Sequence, residues 1–139
     1  MLILDTNVVS EFMRDAPNPV VLAWLDRQDR HSVWITAISI MELNFGIHAL
    51  PPGRRKTVLR RGLDRLATGR IGDRIAVFDA GAAVSAAVIS AERRRAGRPG
   101  ELRDSMIAGI ALSTGASLAT RNTGHFADVA ITLIDPWAA

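Results

Sequence analysis

Five short runs rich in apolar and β-branched residues punctuate the chain: Leu2–Asp5, Val33–Thr36, Ile75–Phe78, Ala116–Thr120 and Ile131–Ile134. The stretches between them have helical periodicity, so strand and helix alternate from end to end. Strands joined by helical crossovers pair in parallel, which restricts the chain to a layered α/β architecture. The expected fold is a parallel β-sheet of four to five strands flanked by helices. The first run holds no polar residue before Asp5, as suits a strand buried on both faces. It ends in Asp5-Thr6-Asn7, which sets a carboxylate, a hydroxyl and an amide at the strand's C-terminal end. In open α/β sheets that edge is where ligands bind.

The periodicity predicts helices over Asn7–Arg14, Val20–Asp29, Ile38–Leu50, Arg54–Thr68, Ala80–Ala96 and Leu102–Thr114. Pro17-Asn18-Pro19 closes the first and Pro51-Pro52-Gly53 the third. With no internal repeat, low-complexity tract or linker, residues 1–139 read as one domain, long enough to bury a core without staples. The absence of cysteine excludes a disulfide framework and thiolate metal sites, and fits a reducing cytoplasm. Asp5 and Glu11 interrupt the place where a signal peptide's apolar core would lie. Met106–Ala119 is too short and too rich in Ser, Thr and Gly to span a bilayer, so no membrane partner is expected.

Seventeen basic against fourteen acidic residues give a net charge of +3, which permits nucleic acid as a partner without demanding it. All the basic residues but Lys56 are Arg, which suits bidentate phosphate contacts. Arg54-Arg55-Lys56, Arg60-Arg61 and Arg93-Arg94-Arg95 read first as solvated helix faces, and second as phosphate-steering clusters. His48 and His125 read as surface residues, and Trp24, Trp34 and Trp137 as core or interface anchors.

Four polar positions, Asp5, Glu42, Asp104 and Asn122, fall at strand ends or helix starts. Each has an ordinary structural use. Asp5 can cap the following helix, Ser39 and Glu42 have capping-box spacing, Asp104 suits a helix N-terminus, and Asn122 suits a turn. Asp79 has the same local pattern and is expected only to cap. The helical neighbours of Glu42 (Ser39, Gly46, Ala49) and of Asp104 (Ala108, Ala111) are small, however. Small neighbours let a helix pack closely on the sheet and carry its acid toward the strand edge. Gathered acids repel by several kcal/mol at an effective dielectric of about 20. They then share protons or bind a cation. An all-oxygen ligand set favours Mg²⁺ or Mn²⁺, the metals of phosphodiester hydrolysis.

Leu4-Asp5-Thr6-Asn7, Met41-Glu42-Leu43, Asp104-Ser105-Met106-Ile107-Ala108 and Ala119-Thr120-Arg121-Asn122, with Phe126 and Pro136-Trp137, together resemble the PIN-domain ribonucleases. The resemblance is nearest to the toxins of bacterial VapBC and FitAB toxin–antitoxin pairs, and it covers essentially the whole chain in order. It implies a metal-dependent endoribonuclease with an acidic Mg²⁺- or Mn²⁺-binding pocket made by Asp5, Glu42 and Asp104. A fourth family position, often Asp, falls on Asn122, which puts a fully occupied two-metal site in question. Thr6 and Thr120 match hydroxyls that hold water or orient the acids, while Asn7 and Arg121 support the site. The resemblance also implies a homodimer, a small DNA-binding VapB/FitA-like antitoxin as partner, and higher hetero-oligomers with it. Two other readings compete. A PIN scaffold with weakened catalysis would only bind RNA or protein. A receiver-type phosphoacceptor domain needs an acidic pair after the first strand and a lysine after the last; Thr6-Asn7 and the remote Lys56 argue against it.

Overall fold

The computed structural model describes the whole chain, Met1–Ala139. Its sheet is built from β1 (Leu2–Leu4), β2 (Val33–Thr36), β3 (Ile75–Ala76), β4 (Ser117–Ala119) and β5 (Leu133–Ile134). The strand order is β3-β2-β1-β4-β5 and every pairing is parallel. Six helices connect them: α1 (Thr6–Phe12), α2 (Pro19–Asp26), α3 (Ala37–Ala49), α4 (Arg54–Thr68), α5 (Ala80–Arg95) and α6 (Leu102–Thr114).

The apolar opening of the chain becomes the central strand, and its alternating side chains feed two separate cores. Leu2 and Leu4 pack with Val8, Val9 and Phe12 of α1, Trp24 of α2, Leu43 of α3 and Leu63 of α4. Ile3 faces the other way, among Ala82 and Ile89 of α5 and Ile107, Ala108 and Ile110 of α6. On that second face α5 and α6 approach closely. A Cβ added at Gly109 would stand 2.6 Å from the backbone oxygen of Ala82, so only glycine allows the contact.

Several boundaries differ from those the sequence predicts. The third strand stops at Ala76, short of Phe78, because its partner β2 ends at Thr36 and turns into α3. The second helix ends at Asp26, since the Asp29 side chain accepts from His31 N at 3.0 Å and starts a separate 3₁₀ turn, Arg30–Ser32. The first begins one residue early, at Thr6, and ends at Phe12. Asp79 caps α5 by accepting from Ala82 N at 2.9 Å, as expected of the control position. No helix is long and apolar enough to cross a membrane.

Candidate active site

Asp5 emerges where β1 gives way to α1, and its backbone N–H still pairs with Ala119 O at 2.9 Å. Its Oδ1 accepts from Thr6 N at 2.8 Å, which is the helix cap. Oδ2 accepts from Thr120 Oγ1 at 2.7 Å and from Asn7 Nδ2 at 3.1 Å. The residue is only 5% exposed, so the cap is also a buried carboxylate gripped by three donors. Burial pushes its carboxyl above the ordinary carboxylate value. Donors from Thr120 and Thr6 draw it back, and the negative charge of Asp104 pushes it up again.

Glu42 reaches the same edge from α3. The cap of that helix is Thr36, the last residue of β2, whose hydroxyl accepts from Ser39 N at 3.0 Å. The capping box expected of Ser39 and Glu42 is therefore absent, because α3 starts directly at the strand end and Ser39 lies inside its first turn. Ser39 is instead fully buried, with its Oγ 2.8 Å from Thr6 Oγ1. Thr6 Oγ1 donates to Glu42 Oε1 at 3.0 Å. An ionised carboxylate can only accept, so the single hydroxyl proton of Thr6 is committed to Glu42. Ser39 must then donate to Thr6, and Thr36 donates to Ser39 at 3.3 Å. A one-way chain of three hydroxyls thus ends on Glu42 and fixes one of its oxygens. The other, Oε2, lies 3.7 Å from Arg103. Of the small residues on its helical face only Ser39 is packed inside; Gly46 and Ala49 are exposed, contrary to the close packing expected there.

Asp104 enters from the first turn of α6 with Ala108 and Ala111 fully buried beneath it, as expected. Its Oδ2 is 3.3 Å from His125 Nδ1. Burial raises its carboxyl above the ordinary value, His125 opposes this, and the charge of Glu42 adds to it. Asp5, Asp104 and Glu42 are thus linked by mutual repulsion across one edge of the sheet.

The loop after β4 is stitched to α1. Asn122 N donates to Thr120 Oγ1 at 3.0 Å, and Arg121 N donates to Asn7 Oδ1 at 3.2 Å. Asn122 is exposed and joins the site through its backbone. His125, expected as a plain loop residue, instead faces Asp104, and nothing in the sequence around it announces that contact. Arg93 is a second correction. It is 5% exposed rather than solvated, pairs with both oxygens of Asp128 at 2.8 and 2.9 Å, and donates to His125 O at 2.7 Å and Ser105 Oγ at 3.2 Å. Its lone acidic partner at a loop corner holds the His125 segment against α6. Arg94 and Arg95 stay exposed.

No three of the chain's His, Asp and Glu side chains stand close enough to enclose an ion by themselves. Mg²⁺ does not need that: it keeps several waters and takes one or two carboxylates. Two desolvated carboxylates, each held above its ordinary value by burial and by a neighbouring acid (Asp104 for Asp5, Glu42 for Asp104), fit such a cation in an all-oxygen setting.

Residues 2–131 match the PIN domain family. The chain is 38% identical to plasmid stability protein StbB of Pseudomonas syringae pv. tomato over 139 residues, covering 100% of both chains. It is 35% identical to VapC ribonuclease Y4jK of Sinorhizobium fredii, covering 99% of this chain and 98% of that one. It is also 35% identical to toxin FitB of Neisseria gonorrhoeae, covering 99% of each. The crystal structure of FitAcB from Neisseria gonorrhoeae superposes with a TM-score of 0.88 at 34% identity, covering 100% of both chains. The structure of FitAB bound to an IR36 DNA fragment gives 0.86 at 34% identity, covering 99% of this chain and 96% of that one.

Proposed function

Because this chain belongs to the PIN-domain family, we propose that it is a Mg²⁺- or Mn²⁺-dependent endoribonuclease and the toxin of a toxin–antitoxin pair. The observation that carries the reading is the convergence of Asp5, Glu42 and Asp104 on the C-terminal edge of β1, with Glu42 held by a directed hydroxyl chain. The relatives named VapC ribonuclease and toxin FitB support it.

Asp5 and Asp104 would hold the cation, directly or through water. When bound, the cation supplies acidification of water and offsets charge developing on the phosphoryl oxygens. Thr6 pins Glu42 Oε1, so Glu42 is set to orient the attacking water and accept its proton. Thr120 and Asn7 keep both oxygens of Asp5 in place. Attack on phosphorus expels the ribose 3′-oxygen, which takes up a proton, leaving a 5′-phosphate and a 3′-hydroxyl. Arg121, on the loop tied to Asn7, is placed to meet a phosphate beside the scissile one.

The partner is a small antitoxin of the FitA or VapB kind, a reading the FitAB complex on DNA supports, and the toxin acts as a homodimer that assembles further with it. Asn122, at the position where the family resemblance implies an acid, favours a second reading in which the scaffold binds RNA without cutting it. One experiment separates them. Asp5→Asn, with its fold verified by circular dichroism, is expected to lower RNA cleavage in Mg²⁺ by roughly a hundredfold or more. Equal cleavage by both proteins would remove Asp5 from the site, and none by either would favour the binding scaffold.

A further inference from the structure

A cavity of about 760 Å³ opens on the far side of Asn7 from the acids, bounded by α1, α4, the loop after β4 and Trp137. Asn7 is the shared wall. Its amide nitrogen bonds Asp5 Oδ2, while its oxygen takes the backbone N–H of Arg121, whose side chain lines the cavity. The Arg121 guanidinium lies 5.0 Å from the centre of the Trp137 ring. Trp137 also packs on the core beneath α1 and α2, so this cation rests on a fixed aromatic plate. Of the other arginines around the cavity, Arg14 is paired with Glu11 at 3.0 Å and Arg54 with Asp15 at 3.1 Å. Arg55 and Arg121 have no carboxylate partner. Val58 and Leu59 add aliphatic surface to the same lining.

We infer that this cavity is the subsite for the RNA strand flanking the scissile bond, with Arg55 and Arg121 on successive phosphates and a base over Val58 and Leu59. The inference rests on the ribonuclease reading and adds the path of the substrate. Two free guanidinium groups beside aliphatic surface match the alternation of phosphate and base in a single strand. Stacking fixes Arg121 before binding, so little side-chain freedom is lost on contact. Arg55 also lines a smaller recess with Thr6, Glu42 and Arg103. One strand can therefore run from Trp137 over Asn7 to the Glu42 side.

The test uses Asp5→Asn chain, so binding is read without cleavage, and a fluorescein-labelled single-stranded 12-nucleotide RNA followed by polarisation. Adding Arg55→Ala and Arg121→Ala together should weaken binding at least tenfold. It should also lower the slope of log Kd against log salt by about 1.4, at about 0.7 per phosphate contact. Val58→Glu should weaken binding comparably, whereas removing exposed Arg94 and Arg95 together should change Kd less than twofold. Equal losses in the groove and control variants would mean nonspecific charge and overturn the inference. So would unchanged RNA binding, including the case where the groove variants lose only an acidic-tailed protein. The ribonuclease reading is judged separately on cleavage by the wild-type chain, so either can fail while the other stands.

Discussion

Asp104 stands on the first turn of α6 with its carboxyl raised above the ordinary value by burial and by the charge of Glu42, opposed by His125. A raised carboxyl disfavours the ionised folded state, so its cost is absent below the unfolded value of about 4 and grows as pH rises through the folded one. Asp104→Asn removes that charge and keeps an oxygen for His125. It is expected to raise the melting temperature at pH 7, by a stability gain of about 1 kcal/mol, while abolishing cleavage. The gain should fade in melts at pH values below about 4. Asp5 differs from the other two acids in how fully its oxygens are committed: it takes three donors, whereas Glu42 has one oxygen held through Thr6 and Asp104 one facing His125. The residue types at these positions were readable in the sequence, but the hydroxyl chain behind Glu42 was not. It joins Thr6 to Ser39 across different elements, and no local pattern encodes that meeting.

Among the elements, α5 and α6 depend on Gly109, whose missing Cβ lets α6 lie against the backbone of Ala82. Gly109→Ala forces the helices apart and is expected to destabilise by about 1–3 kcal/mol, measured by urea unfolding with cleavage followed in parallel. The Arg93–Asp128 pair closes the same layer from the loop side. Arg93 holds the Asp128 carboxyl below its ordinary value. A depressed carboxyl adds stability at pH values above the unfolded value of about 4 and loses it as pH falls through the folded one. Asp128→Asn should therefore melt lower than wild type at pH 7, with the gap closing on acidification below pH 4. The helices were visible from periodicity, yet the burial of Arg93 was not. A triplet of arginines at a helix end reads as solvated until a remote aspartate is folded onto one of them.

For the molecule as a whole, repulsion among Asp5, Glu42 and Asp104 is a cost carried by the metal-free fold. Adding Mg²⁺ or Mn²⁺ should raise the melting temperature by a few degrees through binding to the folded state alone. The rise should vanish in Asp5→Asn combined with Asp104→Asn, as followed by differential scanning fluorimetry. An equal rise in that variant would mean the cation stabilises the protein elsewhere.

The opening strand shows where sequence sufficed. Leu2, Ile3 and Leu4 alternate between the two cores because side chains along a strand point to opposite faces, and that period is written in the chain itself. Alternating strands and helices then required parallel pairing, and with it a polar edge that holds Asp5. Other features are long-range and could be settled only by folding. They are the end of β3 where β2 turns into α3, the contact of His125 with Asp104, and the cavity behind Asn7. Each depends on distances between segments remote in sequence, and residue periodicity carries no information about those distances.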